Sequence, residues 1–168
     1  MVLFSGEEQG LLGSQAYVTE HFGTAEAPKR EFPYLDAYVN IDSGTGRVRA
    51  ANVFGPPDAA TMLGRMLLPL KRFAVEGAVA HRTRRLRSTD ATTFSWANLP
   101  AVGLTQDPID NSLTLHTNLD TYDQTLPQDA NEAAITVAML AYKVAMSEDN
   151  VPRFTPPEMP AAEGPGPK

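Results

Sequence analysis

Two glutamates stand side by side at Glu7-Glu8, separated by Ser5-Gly6 from the apolar run Met1-Val2-Leu3-Phe4. Asp42 closes the stretch Asn40-Ile41-Asp42, and His116 lies in Asn111-Ser112-Leu113-Thr114-Leu115-His116-Thr117-Asn118-Leu119-Asp120-Thr121. Carboxylate oxygen and imidazole nitrogen are donors that suit zinc. A carboxylate beside a ligand carboxylate is well placed to act as a general base, close enough to take a proton from a water that the metal activates. Asp120 is available to accept the second N–H of the His116 ring. The rival reading of Glu7-Glu8 is electrostatic only: acidic residues in a first helical turn complement the helix dipole.

These residues meet only if strands deliver them to one place. In an open α/β sheet, ligands gather at the carboxyl ends of the strands, and Glu7-Glu8, Asp42 and His116 are each expected to follow one. Met1–Phe4 has the continuous apolar character of a buried parallel strand. Such a strand seldom begins at a first residue, so a truncated domain is expected. Gln9 to Phe22 reads as a helix, with Leu11, Val18 and Phe22 on one side. Tyr34 to Asp42 alternates, with Leu35, Ala37, Val39 and Ile41 on one face of a half-buried strand, and Ser43-Gly44-Thr45-Gly46 turns the chain.

Arg47 to Phe54 reads as another strand. Gly55-Pro56-Pro57-Asp58 then stops it and caps a helix carrying Met62, Leu63, Met66, Leu67 and Leu70, which Pro69 should kink or end. Ser88-Thr89-Asp90 suits the cap of a short helix through Trp96, and Pro100 to Gln106 is a short apolar strand. Gln128 to Met146 reads as a buried helix, apolar nearly all round and opened by a capping box in Thr125-Leu126-Pro127-Gln128. From Val151 six prolines with Glu, Gly and Ala give a composition that cannot bury enough surface to order itself. The expected organisation is a domain over 1–149 and a disordered tail over 150–168. Strands alternating with helices imply an α/β fold with a mainly parallel mixed sheet flanked by helices.

At 168 residues and 42% hydrophobic content, one domain can bury a core of its own. A net charge of -6 argues against a nucleic-acid or anionic-lipid partner, and the basic run His81–Arg87 reads as a solvated loop. With no cysteine, disulfides, thiolate metal sites and a cysteine nucleophile are excluded. No stretch approaches the ~20 apolar residues of a membrane span. Gly6, Gly10 and Gly13 match neither a dinucleotide fingerprint nor a P-loop, and G-x-S-x-G and H-E-x-x-H are absent. His21 and His81 read as satisfied or solvated imidazoles.

Phe4-Ser5-Gly6-Glu7-Glu8-Gln9-Gly10-Leu11-Leu12-Gly13-Ser14, Asn40-Ile41-Asp42, Ser88-Thr89-Asp90 with Phe94, and His116-Thr117 with Asp120-Thr121 resemble the ordered motifs of the M28 family of zinc peptidases. The likeness runs over roughly residues 1 to 146. Asn40 to Arg47 and Gln106-Asp107-Pro108 through Tyr122 are most similar to the carboxypeptidase Q branch of that family. The resemblance implies a zinc exopeptidase-like fold holding two Zn2+ ions bridged by an aspartate and a water. It makes Glu7 the general base, Glu8 a ligand of one zinc, and Asp42 and His116 ligands of the other. The expected function is a dinuclear zinc exopeptidase (aminopeptidase, carboxypeptidase or dipeptidase) acting on a peptide or dipeptide, in a secreted or periplasmic setting; the sequence assigns no oligomer.

Two departures stand out. Ala91 occupies a place where many relatives carry histidine, and the family takes one histidine and the bridging aspartate from a region before the Glu-Glu motif. A bridged zinc pair needs about five protein donors, against the three present here. The chain is therefore expected to be an N-terminally truncated part of the catalytic domain that alone binds zinc weakly and does not hydrolyse peptides. The alternative is a non-catalytic binding or interaction domain of the same fold.

Overall fold

The computed structural model describes residues 1–86, 88–109 and 111–161. Four strands make one sheet: β1 (Tyr38–Asn40), β2 (Val48–Phe54), β3 (Gly77–His81) and β4 (Ala101–Gln106), in the spatial order β1-β4-β2-β3. β1 runs parallel to β4, β2 parallel to β3, and β2 antiparallel to β4, which makes the sheet mixed and mostly parallel. β4 is central and buried on both faces, the reason that its first four residues, Ala101-Val102-Gly103-Leu104, carry no polar side chain. In β2 the alternation of Ala51 and Val53, both fully buried, selects the face that meets helices. The antiparallel step matters for function. It returns the start of β2 to the edge where β1 and β4 end, pairing Val48 with Gln106.

Helices cover both faces. α2 (Pro57–Leu67) buries Ala59, Leu63 and Leu67, one residue per turn, and α5 (Pro127–Ala145) buries Ala133, Leu140 and Val144. Together with Val48, Ala51, Val53, Val102 and Leu104 they form one core. α1 (Leu12–His21) and α3 (Asp90–Trp96) pack on the other face, where Val18, Phe22, Phe54, Phe94 and Leu99 form a second core. Thr89 caps α3, its hydroxyl accepting from Ala91 N–H at 3.3 Å, as the sequence implies. α2 gives way at Leu68 to a 3-10 turn, Leu68–Phe73, because Pro69 supplies no backbone N–H. Among the described residues no helix is long and apolar enough to cross a membrane.

Several expectations differ from the structure. Met1, Val2 and Leu3 are exposed and form no strand, since an apolar run becomes one only beside a backbone that can pair with it. The strand expected over 34–42 shortens to β1, with Phe32–Tyr34 a 3-10 turn and Ile41 partly exposed. β3 was not foreseen; its Gly-Ala-Val-Ala-His sequence is weakly apolar, and as an edge strand it leaves Val79 exposed. In the basic run, Arg84 is buried and donates to Trp96 O rather than lying in solvent, and Arg87 falls outside the described residues. α5 is not buried all round: Ile135 and Tyr142 are 44% and 65% exposed. Its cap is Leu126, without a side-chain bond, in place of the capping box.

The segment expected to be disordered from 150 is anchored in the core at Val151 and Phe154, with 162–168 outside the described residues. Val151 and Phe154 are buried, Val151 N–H donates to Asp36 Oδ1 at 2.9 Å, and the Phe154 ring meets Phe54 edge-on at 5.2 Å. Thr155 and Glu158 close a capping box over the turn Pro156–Glu158. Prolines restrict this segment without preventing it from burying two apolar anchors. Phe154→Ala should therefore cost about 3 kcal/mol in urea unfolding, the usual loss for a buried ring, whereas a disordered tail would give no change.

Candidate active site

Glu7 and Glu8 sit in a tight turn between Ser5 and Gly13. Leu11 N–H donates to Glu7 O, Leu12 N–H to Gly6 O and Gly13 N–H to Ser5 O, at 2.8 to 3.0 Å. A side chain at Gly13 would bring its Cβ to 2.5 Å from Ser5 O, so this closure needs glycine, and Gly6 takes φ +69°. The acidic pair thus precedes α1 on a loop wound by its own backbone. Phe4 anchors the loop, with its ring within 5.5 to 6.2 Å of Tyr17, Tyr38 and Phe94. On the far side of α1, Ser14 Oγ and Thr93 Oγ1 share a hydrogen bond of 3.0 Å, tying α1 to α3.

Asp42 follows β1 by two residues, at the sheet edge where β4 also ends. Gln106, buried at the last position of β4, fixes the loop after Asp42. Its amide donates to Gly44 O at 2.7 Å and Gly46 O at 3.0 Å, and its carbonyl accepts from Ser43 N–H at 3.1 Å. Gly46 is obligatory, since a Cβ there would lie 2.1 Å from Asp107 O. A second chain of bonds runs from β1 to the start of α3: Tyr38 O–H donates to Asn40 Oδ1 at 2.7 Å, and Asn40 Nδ2 donates to Thr89 Oγ1 at 2.9 Å. Asp90 follows directly and is 8% exposed.

His116 comes from the connection after β4, beyond the short helix α4 (Asn111–Thr114). Its backbone adopts φ +61°, a region that costs a non-glycine residue about 1 kcal/mol or more. Its Nε2 meets Glu8 Oε1 at 2.8 Å, across 108 residues of sequence. Both side chains are about 60% exposed, so the pair adds little stability, about 0 to 1 kcal/mol. Its value is positional. Asp120, expected to orient the His116 ring, instead lines a small pocket with Gly44, Thr45, Thr121 and Gln124.

The charges interact. Burial, then Asp42, Glu8 and Asp90, push the Glu7 carboxyl above its usual range, and His116 offsets part of this. Burial, then Asp90 and Glu8, push Asp42 up, and burial followed by Asp90 and Asp42 does the same to the Tyr38 phenol. Glu7, Glu8, Asp42 and His116 therefore lie in one electrostatic neighbourhood, and Asp90, which was read from sequence as a cap residue, belongs to it. The sequence offered Asp90 only as a member of the Ser88-Thr89-Asp90 motif; its place beside Asp42 and Glu7 is a product of the folded chain.

The architecture is that of an α/β exopeptidase fold. It is similar to a peptidase M28 precursor from Shewanella amazonensis SB2B, at 22% identity and a TM-score of 0.70, covering 92% of this chain and 33% of that one. An aminopeptidase from Aneurinibacillus sp. strain AM-1 gives 20% identity and a TM-score of 0.60, covering 90% and 36%. BSAP, a zinc aminopeptidase from Bacillus subtilis, gives 18% and 0.55, covering 88% and 36%. This chain spans about a third of the length of these structures. A comparison with curated proteins gives no match. The sequence profile of peptidase family M28 matches residues 1–141, and the chain belongs to that family.

For the zinc that the resemblance implies, the donors fit in kind: carboxylate oxygens, one imidazole nitrogen, an excess of negative charge, and a buried Asp90 Oδ1 that accepts no hydrogen bond. Among the described residues, no three His, Asp or Glu side chains converge closely enough to hold an ion. The structure brings Glu8 and His116 into contact and sets Asp42 within electrostatic reach of Glu8.

The raised carboxyl groups set a pH dependence for the metal-free protein. A carboxyl whose folded pKa exceeds its unfolded value binds more protons when folded, so its contribution is most favourable at acid pH and declines as pH rises through the folded pKa. Melting in EDTA from pH 4 to 8 should show wild type losing stability relative to Glu7→Gln/Asp42→Asn as pH rises. A constant gap between the two would contradict the coupling.

Proposed function

We propose that this chain carries the carboxyl-terminal part of the catalytic domain of a dinuclear zinc exopeptidase, related to the carboxypeptidase Q branch of the M28 family. The observation that carries the reading is the Glu8–His116 contact, which joins the two most specific motifs across 108 residues within an M28 match. In this reading Glu8 holds one zinc, Asp42 and His116 hold the other, and a further histidine and a bridging aspartate complete the set of about five donors. Zinc when bound polarises the scissile carbonyl and acidifies a water. Two of the similar structures are aminopeptidases, which favours a peptide N-terminus as the end cleaved. A secreted or periplasmic setting belongs to the same proposal.

Glu7 does the proton work. Its carboxylate takes a proton from the attacking water and returns it to the departing amine, and its raised pKa brings it nearer the working pH of a base. Glu8 is turned toward His116 by the same backbone turn, so neighbouring residues divide two tasks. Negative charge at Asp42 and Asp90 keeps the site selective for a cation.

Alone, the 168-residue chain is expected to bind zinc weakly and to leave aminoacyl and dipeptide substrates intact. In a version extended upstream to supply the missing donors, Glu7→Gln should cut turnover by ~10² or more with zinc content nearly unchanged, whereas Glu8→Gln should lose metal. Equal metal loss in both variants, measured by elemental analysis, would overturn the division of roles. No turnover in the extended form would favour a non-catalytic binding domain.

A further inference from the structure

Asp90 is the most deeply buried acid of the site, and its environment is unusual. Its carboxylate Oδ1 is sealed from solvent and accepts no hydrogen bond, and among the described residues no Lys, Arg or His forms an ion pair with it. An unpaired buried carboxylate is costly, and the fold holds it in place rather than letting it turn outward. Thr89 fixes the backbone beside it by bonds to Ala91 N–H and Asn40 Nδ2. Phe94, one turn further along α3, is stacked on Tyr38 at 3.8 Å between ring centroids. Two acids of the site, Asp42 and Glu7, feel the charge of Asp90.

We infer that Asp90 is a positioning carboxylate of the cation site, a buried negative charge that strengthens the hold of Asp42 and its neighbours on a divalent ion and is kept in place by the Tyr38–Asn40–Thr89 hydrogen-bond chain. This rests on the metal reading proposed above. The cap of α3 is already supplied by Thr89, and Asp90, its first helical residue, is sealed from the solvent that an acid serving only the helix dipole would face. A dication nearby supplies the missing counter-charge, and the attraction is strong because one partner is already desolvated. The orphaned oxygen costs stability in the metal-free protein, and that cost is offset when the ion binds.

The test uses the 168-residue chain and Asp90→Asn, which keeps the shape and removes the charge. Two quantities are read: the melting temperature in EDTA, and the apparent Zn2+ affinity from the rise in melting temperature with added zinc. The expected result is a higher metal-free melting temperature together with a loss of zinc affinity of ~10-fold or more. A lower melting temperature with unchanged affinity would make Asp90 a structural residue of α3 and overturn the inference while leaving the metal reading intact. Unchanged values of both would overturn it as well. A wild-type chain that shows no response to zinc at any concentration would overturn this inference, and the metal reading falls with it only if the version extended upstream also binds no zinc.

Discussion

The stack of Tyr38 on Phe94, with ring centroids 3.8 Å apart and planes 4° from parallel, is the contact on which the site depends. Tyr38 belongs to β1, which leads to Asp42; Phe94 belongs to α3, which begins at Asp90. Phe4 lies within 6.2 Å of both rings and ends two residues before Gly6-Glu7. One aromatic cluster thus sets three separate stretches of chain against one another. Such clusters combine large apolar burial with preferred ring geometries, which makes them good at fixing relative position as well as at stabilising. The stack also directs the phenol of Tyr38 to Asn40, so the packing of a ring and the aim of a hydrogen bond are the same event.

The sheet supplies the second requirement, a shared edge. Parallel pairing of β1 with β4 sends both strands out on one side, and the antiparallel β2 brings the intervening loop back to that side. Gln106 converts this topology into a rigid loop by bonding three backbone groups between Ser43 and Gly46. Arg49 and Asp107 add a bidentate ion pair at the same edge, which holds the Asp107 carboxyl below its usual range. The chain after β4 then reaches His116, whose left-handed backbone is tolerable where a site gains from it.

Electrostatically the site runs against local stability. Four carboxylates face one imidazole, two of them are pushed toward the protonated form, and a third has a sealed oxygen without a donor. The core carries this load: two apolar clusters, one on each face of the sheet, anchor every element that reaches the site. Away from the site, buried acids have cations beside them: Arg47 lies 2.7 Å from Asp129 and 3.4 Å from Glu132. Contrast within one molecule marks where binding has taken precedence over folding.

Much of this was legible in the residues. Glu7-Glu8, Asp42 and His116 stand out because donors of the right type follow apolar runs, and α2, α3, β2 and β4 follow from period, caps and proline, all of which are local effects. Four features were decided only by tertiary structure. Met1–Leu3 did not become a strand, because pairing depends on a neighbour that the run itself does not specify. β3 did, because an edge strand needs only a partner backbone and its side chains carry little pattern. The proline-rich segment is anchored, because Phe154 found a place beside Phe54 in one core and Val151 a place in the other, a complementarity that composition does not record. Asp90 joined the site, because burial and the lack of a donor are properties of its surroundings. The sequence by itself determined which groups can do chemistry and which segments form regular backbone; the folded chain decided which of those groups share a field, since distance and desolvation exist only after packing.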